Sequence, residues 1–386
     1  MANNNDNKVL NVPPLRFPEF TKEWEEHALA EYLDFKNGLN PDVKRIGRGL
    51  PFISVMDILA DGTINYDSIR GKVEATEREI ENFSVEKGDI LFQRSSETLE
   101  DVGRANVYMD NRTAVYGGFV IRGRKIGDYN PLFFKYLLST PLARKRTCRM
   151  GAGAQHFNIG QDGLSKISLC FPLMEEQNKI ARLLSLIDER IATQNKIIDK
   201  LQSLIKGLRV CCMQRNGSNN VYLSEIAQIY QPQTISSAEL TEDGFLVYGA
   251  NGIIGKYKDY NHKTEQICIT CRGNTCGMVN YTKPMSWITG NAMVINTDKY
   301  QDKVYKKYLY HYLSAYNFNS IISGSGQPQI VRTPLEKLKI TLPTISEQKQ
   351  KAMILDKVQD KIEINHNILN LYILQKQVLF LQTKVG

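Results

Sequence analysis

The sequence lacks the marks of a membrane, secreted or disordered protein. None of its apolar runs approaches the roughly 18 residues that span a bilayer, and its polar start has no apolar stretch like that of a signal peptide. The seven cysteines are an odd number, and we expect them to be reduced thiols in the cytoplasm. With 42% hydrophobic residues in 386, the chain can bury cores of two or three domains.

A strong charge of one sign is also missing. Lys and Arg total 49 against 41 Asp and Glu, which gives a formal net charge of +8. This mild excess permits a polyanionic partner such as DNA but does not require one.

Motifs for catalysis and metal binding are incomplete. The nearest match to a P-loop, residues 250–257, lacks the first Gly and the hydroxyl that would hold magnesium. The Asn-Pro-Leu-Phe run at 130–133 has one Pro too few for an amino-methyltransferase and is better explained as a helix start. Three thiols and one imidazole are candidate zinc ligands: Cys268, Cys271, Cys276 and His262. Packing thiols are the simpler interpretation, so we expect no catalytic residue, metal or cofactor in this chain.

An internal repeat is present, with a period near half the chain. Residues 172–177 and 343–348 share the pattern Pro-x-x-x-Glu-Gln. Upstream, the Gly-x-Gly of 151–153 matches that of 324–326, and weaker similarity links 133–139 with 308–314. Because the order of these features is the same in both halves, the sequence predicts a duplicated unit.

Each half ends in a long helix with a coiled-coil seam, predicted over 172–214 and 343–386. Apolar residues step by four and three along both, as in a heptad repeat. The first seam is Ile180, Leu184, Ile187, Ile191, Gln194, Ile198 and Leu201. The second is Leu355, Val358, Ile362, Asn365, Leu369 and Tyr372, after which Lys376 breaks the pattern. At 1.5 Å per residue each helix would be roughly 50 Å long. If they pair, Gln194 and Asn365 would face each other and fix the register.

The remaining segments predict α+β globules, because short β-rich runs alternate with Gly/Asn turns and each ends in an amphipathic helix, around 130–147 and 303–316. The organisation is then a flexible tail (1–16), a globule (17–171), a helix, a second globule (215–342) and a second helix. The fold class is α+β, with two globules alternating with two long helices that pair as an antiparallel coiled coil in a pseudo-twofold repeat.

Basic and amide side chains near glycines are the candidate DNA-binding residues. Glycine lets the backbone approach phosphates, Gln and Asn can pair with adenine edges, and Arg with guanine. In the first globule the candidates are Arg45, Arg48, Arg94, Ser95, Arg146, Arg149, Gln155 and Asn158. In the second they are Lys256, Lys258, Arg272, Asn274, Thr275, Gln327, Gln329 and Arg332. Each alone could equally be a solvated surface residue.

The plan of globule, helix, related globule, helix resembles the specificity subunit of type I restriction–modification systems. The Pro-Leu-Arg-Phe-Pro-Glu-Phe run at 14–20, the two Pro-x-x-x-Glu-Gln helix starts and the Gly-x-Gly-Gln-x-Gln loop at 324–329 are similar to features of that family. The resemblance covers nearly the whole chain after the first dozen residues.

The resemblance implies a non-catalytic DNA-binding protein. Each globule would be a target-recognition domain that reads one half of an asymmetric, gapped DNA sequence, and the paired helices would be the spacer. Two modification subunits would methylate adenine with S-adenosylmethionine, and restriction subunits would use ATP and Mg²⁺. A coiled-coil scaffold, a stand-alone DNA-binding protein and an enzyme with an unrecognised motif are the alternatives.

Overall fold

The computed structural model describes most of the chain: residues 13, 15–213, 219–250, 252–324 and 326–382. Most of the predicted tail (residues 1–12 and Pro14) and residues 214–218, at the predicted boundary between the first long helix and the second globule, lie outside the described residues. The chain divides into two compact units. The first comprises Met1–Gln194 with Ile368–Gly386, and the second comprises Asn195–Asn367. Among the described residues, no helix combines the length and the apolarity that crossing a membrane requires.

The first globule is built from twelve strands and five short helices, followed by one long helix. The strands are β1 (Glu25–Ala28), β2 (Leu33–Asn37), β3 (Ile46–Ile53), β4 (Lys72–Val73), β5 (Ser84–Val85), β6 (Ile90–Gln93), β7 (Ser95–Ser96), β8 (Ala105–Val107), β9 (Ala114–Tyr116), β10 (Val120–Lys125), β11 (Phe157–Asn158) and β12 (Ser168–Phe171). The helices are α1 (Val55–Leu59), α2 (Glu77–Phe83), α3 (Pro131–Ser139), α4 (Pro141–Cys148), α5 (Gln161–Ser165) and α6 (Met174–Met213).

The second globule repeats this plan with fewer elements. Its strands are β13 (Asn219–Tyr222), β14 (Gln228–Tyr230), β15 (Phe245–Gly249), β16 (Gly252–Tyr257), β17 (Ile267–Thr270), β18 (Val279–Tyr281), β19 (Trp287–Ile288), β20 (Ala292–Asn296) and β21 (Lys339–Leu342). Its helices are α7 (Lys306–Ala315), α8 (Arg332–Glu336) and the long α9 (Ile345–Gln382).

Three kinds of sheet recur in the two globules. An antiparallel sheet has the order β2-β10-β6-β8 in the first globule and β14-β20-β17-β18 in the second. A second sheet contains one parallel pair in each, β3 with β9 and β15 with β19. A two-stranded ribbon, β1 with β12 or β13 with β21, leads into each long helix. The predicted α+β class with a duplicated unit is therefore confirmed.

The amphipathic helix predicted over 130–147 is two helices. Pro141 cannot continue α3, because proline lacks the N–H that an interior helical position donates. Thr140 instead caps a new helix, α4, by accepting a hydrogen bond from the Ala143 N–H at 3.3 Å.

One buried glutamine joins each long helix to the globule before it. The Gln177 amide donates to the Pro172 carbonyl at 2.9 Å and accepts from the Asn130 N–H at 3.0 Å, directly before α3. Gln348 repeats the arrangement: it donates to Pro343 at 2.9 Å and accepts from the Tyr305 N–H at 2.8 Å, directly before α7. The Pro-x-x-x-Glu-Gln pattern therefore encodes a bond between two helix starts.

The segment before the first globule is attached to the start of α6. Arg16 forms a two-pronged ion pair with Glu176, at 2.7 and 2.6 Å, and the Trp24 indole N–H lies 3.4 Å from the same carboxylate. A buried carboxylate needs a partner of this kind. Arg16, the last residue of the predicted tail, is thus bound to α6.

The long helices run antiparallel within each unit. In the first unit, Asp188 of α6 pairs with Lys376 of α9 at 2.5 Å, and Arg190 lies over the Tyr372 ring at 5.8 Å. In the second, Arg209 contacts Gln359 at 3.4 Å. There the Lys351 ammonium also donates to the Cys212 carbonyl at 2.8 Å. In both units the partner on α9 moves backwards as α6 advances.

The seam residues lie on the inner side of these helices. Leu184, Ile187, Gln194 and Ile198 are buried on α6, as are Leu355 and Ile362 on α9. The other predicted seam positions are half-buried: Ile180, Ile191, Leu201, Val358, Asn365, Leu369 and Tyr372. α6 and α9 start two residues after the predicted boundaries. The facing of Gln194 and Asn365 stays a prediction.

Candidate nucleic-acid interface

In the first globule, two loops that are distant in sequence meet at the end of strand β6. The Arg94 carbonyl accepts a hydrogen bond from the Ile159 N–H at 3.0 Å, and β7 pairs with β11. This pairing lets the Ser95 hydroxyl donate to the Asn158 side chain. Gln155 is exposed in the same loop as Asn158. Four of the predicted DNA-binding residues therefore lie on these two adjoining loops.

The second globule brings its own candidates together in the same way. At the end of β17, the Cys271 carbonyl accepts from the Ile330 N–H at 3.0 Å, and Arg272 forms an antiparallel bridge with Gln329. Asn274 is exposed in the loop that Arg272 begins, and Gln327 is exposed in the loop that contains Gln329. The Thr275 hydroxyl donates to the Ala250 carbonyl at 2.9 Å, so this side chain holds the loop in place.

The glycine-rich loops of the two globules are closed by equivalent backbone bridges. Ala152 and Asn158 exchange two N–H···O=C bonds of 2.9 Å, and Ser323 and Gln329 exchange bonds of 2.9 and 2.8 Å. Asn158 and Gln329 therefore occupy equivalent positions, each presenting an amide from the end of its loop.

These bridges correct the alignment of the repeat. The structural equivalent of Gly324 is Gly153, not Gly151, because each directly follows the first residue of its bridge and has a positive φ, 94° and 146°. A Cβ on Gly153 would lie 2.0 Å from the His156 carbonyl oxygen, and one on Gly324 would lie 2.4 Å from that of Gln327. Only glycine fits this turn, which is why both loops contain one there.

Arg45 and Arg48 are paired with carboxylates of the first globule. The Arg45 guanidinium contacts Glu79 at 3.1 Å and the Glu74 carbonyl at 2.9 Å. This pairing holds the pKa of Glu79 well below its usual range, at about 2. Arg48 is mostly exposed and lies 2.7 Å from the Glu74 carboxylate. Arg45 thus has a structural role, whereas Arg48 is accessible to a ligand.

The two arginines at the end of α4 differ in the same way: Arg146 is paired with a carboxylate, whereas Arg149 is exposed. Arg146 pairs with Glu26 at 2.9 Å and donates to the Ser168 carbonyl, so it binds the ribbon of β1 and β12 that leads into α6. Arg149 is exposed at the end of α4, directly before the glycine-rich loop. Arg149, the C-cap residue of α4, is therefore accessible to a phosphate beside the loop.

The remaining basic candidates of the second globule lie at the surface. Lys256 is 3.5 Å from Asp243, and Lys258 is exposed beside the Tyr257 ring. Arg332 starts α8, just after the Gln329 loop, and pairs with Glu336 at 2.6 Å. The role of these three cations in binding stays a prediction.

The cysteines of the second globule belong to two different cores. Cys268 packs with Tyr248 and Ile288, whereas Cys271 packs with the apolar residues around α7. Burial raises the pKa of the Cys268 thiol to about 12, which disfavours the thiolate that a metal ligand requires. Among the described residues, no three His, Cys, Asp or Glu side chains lie close enough together to hold a metal ion.

Comparison with known proteins identifies the family of this chain. The family model described as the type I restriction modification DNA specificity domain matches residues 21–203 and again 216–371. The chain belongs to this family, and it is a specificity subunit, the component that recognises the DNA target in a type I restriction–modification system. Specificity subunits are non-catalytic.

Two relatives support this assignment, one over most of the chain and one over about a third of it. The MjaVIII specificity subunit of Methanocaldococcus jannaschii is 25% identical, covering 91% of this chain and 88% of its own length. The EcoprrI specificity subunit of Escherichia coli is 32% identical over 140 residues, which is 35% of this chain and 34% of that protein.

Solved structures show the same fold. The crystal structure of the S subunit of M. genitalium aligns with a TM-score of 0.68 at 15% identity, covering 96% of this chain and 98% of that one. A second match, from work on complex assembly and conformational transition of the type I system, has a TM-score of 0.55 at 14% identity, covering 96% and 99%.

Proposed function

We propose that the two globules read the two halves of one asymmetric, gapped DNA target. The observation that carries this proposal is the shared loop arrangement, which presents different side chains in each globule. Ser95 and Asn158 stand where Arg272 and Gln329 stand in the second copy. Side chains of different hydrogen-bonding chemistry select different base edges in the major groove. Equivalent scaffolds with unlike side chains therefore support two unlike half-sites.

The long helices would be the spacer and the docking platform. Beyond the seam, α6 and α9 expose many apolar side chains that the fold does not bury: Leu186, Ile197, Leu204, Val210, Met353, Ile354, Ile364, Leu371, Ile373, Leu374 and Val378. Exposed apolar residues in this number suit protein partners. We infer that two modification subunits dock here and that restriction subunits join the assembly.

The chemistry would reside in those partners. The modification subunits would methylate adenine N6 using S-adenosylmethionine, and the restriction subunits would use ATP and Mg²⁺. This chain would bind none of these cofactors and would act in the cytoplasm beside the host DNA.

The test is a methylation map of host DNA with and without this gene. We expect methyl-adenine to disappear from one gapped, asymmetric motif when the gene is deleted. An unchanged map in a host whose partner subunits are expressed and co-purify with this chain would contradict the proposal. It would then favour a coiled-coil scaffold.

A further inference from the structure

A tight turn at residues 117–120 lies beside the two adjoining loops of the first globule, which contain Arg94 and Asn158. Backbone hydrogen bonds join it to the Arg94 loop. The Arg94 N–H donates to the Phe119 carbonyl at 2.8 Å, while the Arg94 carbonyl accepts from Ile159 at 3.0 Å. The turn closes on itself through a 2.9 Å bond from the Val120 N–H to the Gly117 carbonyl. Backbone bonds thus join three segments side by side, in the order turn, Arg94 loop, glycine-rich loop.

The second globule contains the same row of three segments. The Cys271 N–H donates to the Asn291 carbonyl at 3.0 Å, and the Ala292 N–H closes the turn on Thr289 at 3.0 Å. The Cys271 carbonyl accepts from Ile330. Asn291 is therefore the structural equivalent of Phe119. Neither residue is among the DNA-binding residues predicted from the sequence.

Both turns are held rigidly by what surrounds their glycines. A Cβ on Gly118 would lie 1.8 Å from the Asn40 side-chain oxygen, and one on Gly290 would lie 2.4 Å from the Thr234 hydroxyl. The Gly118 carbonyl also accepts from the Arg94 guanidinium at 3.3 Å. The Gly290 carbonyl accepts from the Gln231 amide. Each turn therefore fixes the direction of the side chain that follows its glycine.

The side chains on these turns project from the surface. Phe119 is 68% exposed, although the next residue, Val120, is fully buried. Asn291 is exposed as well. A large aromatic ring left in water on a rigid turn does not stabilise the fold, because the apolar area that it could bury remains solvated. It can bury that area on a ligand instead.

We propose that Phe119 and Asn291 are specificity-determining residues, each touching a base of the half-site that its globule reads. This rests on the function proposed above. Phe119 would make an apolar contact with a thymine methyl group, and Asn291 would form paired hydrogen bonds with an adenine edge. These are the base features that an aromatic ring and an amide recognise in the major groove. The neighbouring Ser95 and Arg272 would then contact adjacent bases or phosphates.

The experiment compares methylated motifs after expressing the full chain with its modification subunits. We expect Phe119→Asn to change one base position in one half-site and leave the other half-site and the gap unchanged. Asn291→Ala should relax one position in the opposite half-site, with roughly a tenfold or greater loss of discrimination there. Ile126→Asn is the matched control. Ile126 is 60% exposed and follows the far end of strand β10, the strand that Phe119 precedes. Its motif should be that of the wild type.

A binding measurement tests the methyl contact directly. The thymine to test is the one at the position that Phe119→Asn changes. Replacing it by deoxyuridine should weaken binding of the wild-type complex about fourfold, which corresponds to the free energy of burying one methyl group. The Phe119→Ala complex should bind both DNAs equally. If the wild type methylates a defined motif and both Phe119→Asn and Asn291→Ala methylate that same motif, this inference alone is overturned. A wild type that reads no motif would overturn the proposed function as well.

Discussion

A single buried glutamine fixes each long helix to its globule. Gln348 satisfies both neighbouring backbones at once, because its carbonyl accepts from Tyr305 while its amino group donates to Lys303 and Pro343 at 3.1 and 2.9 Å. Buried polar groups of this kind cost little when paired and much when one partner is removed. Gln177 and Gln348 thus set where each long helix begins relative to its own globule.

We expect Gln348→Glu to destabilise the protein by about 3 kcal/mol. The new carboxylate oxygen would face two carbonyl oxygens in a buried site, which leaves a charge without a donor. Urea unfolding monitored by circular dichroism measures the loss. Gln350→Glu is the control, since Gln350 is exposed two residues later on the same helix and should shift stability by no more than about 0.5 kcal/mol. Equal losses of stability for the two variants would argue against a structural role for the buried Gln348 side chain.

The arrangement of the candidate DNA-binding residues was only partly predictable from the sequence. Arg94, Ser95 and Asn158 were selected as polar residues near glycines, and the structure brings them together. Arg45 and Arg146 were selected on the same grounds, but the fold pairs them with Glu79 and Glu26. The sequence does not reveal which basic residue a distant carboxylate will neutralise, because that pairing depends on contacts more than thirty positions apart.

At the scale of elements, the long helices follow directly from the four-and-three spacing of their apolar residues. Lys376, which interrupts that spacing, is accommodated by Asp188 at 2.5 Å and by the Tyr136 ring at 5.7 Å. Tyr136 in turn donates to Asp188 at 2.9 Å. A polar triad therefore replaces an apolar seam position where α6 and α9 meet α3.

Neighbouring positions on α6 separate helix pairing from partner docking. Ile187 is 4% exposed and Leu186 is 37% exposed. Ile187→Asp should lower stability by about 4 kcal/mol, because it buries an unpaired charge in the seam. Leu186→Asp should leave the melting temperature nearly unchanged but weaken co-purification with a modification subunit. Retained docking for Leu186→Asp would place the partner on another face, and a stable Ile187→Asp would contradict the buried seam.

At the scale of the whole molecule, the duplication predicted the architecture better than it predicted the interface. The strand orders β2-β10-β6-β8 and β14-β20-β17-β18 repeat, as the matching motifs implied. The loop register did not follow the sequence match, because backbone bridges align Gly153 with Gly324. These bridges join residues only six positions apart, but the Gly-x-Gly match does not reveal which glycine directly follows a bridge. Two copies of one scaffold therefore diverge where their loops meet, while the helices that carry them keep a common repeat.

The distance between the two half-sites should follow the length of the paired helices. Arg190 contacts Tyr372 across the antiparallel helices, so seven residues inserted after Arg190 and seven before Tyr372 keep the seam in phase. At 1.5 Å per residue, the spacer grows by about 10 Å, equivalent to about three base pairs. Methylation mapping should then find both half-sites unchanged with a wider gap. An insertion into α6 alone is the control, because it leaves one heptad unpaired and should reduce stability without defining a new motif. Altered half-sites with the original gap would show that the globules and the helices do not act as separate reading heads and spacer.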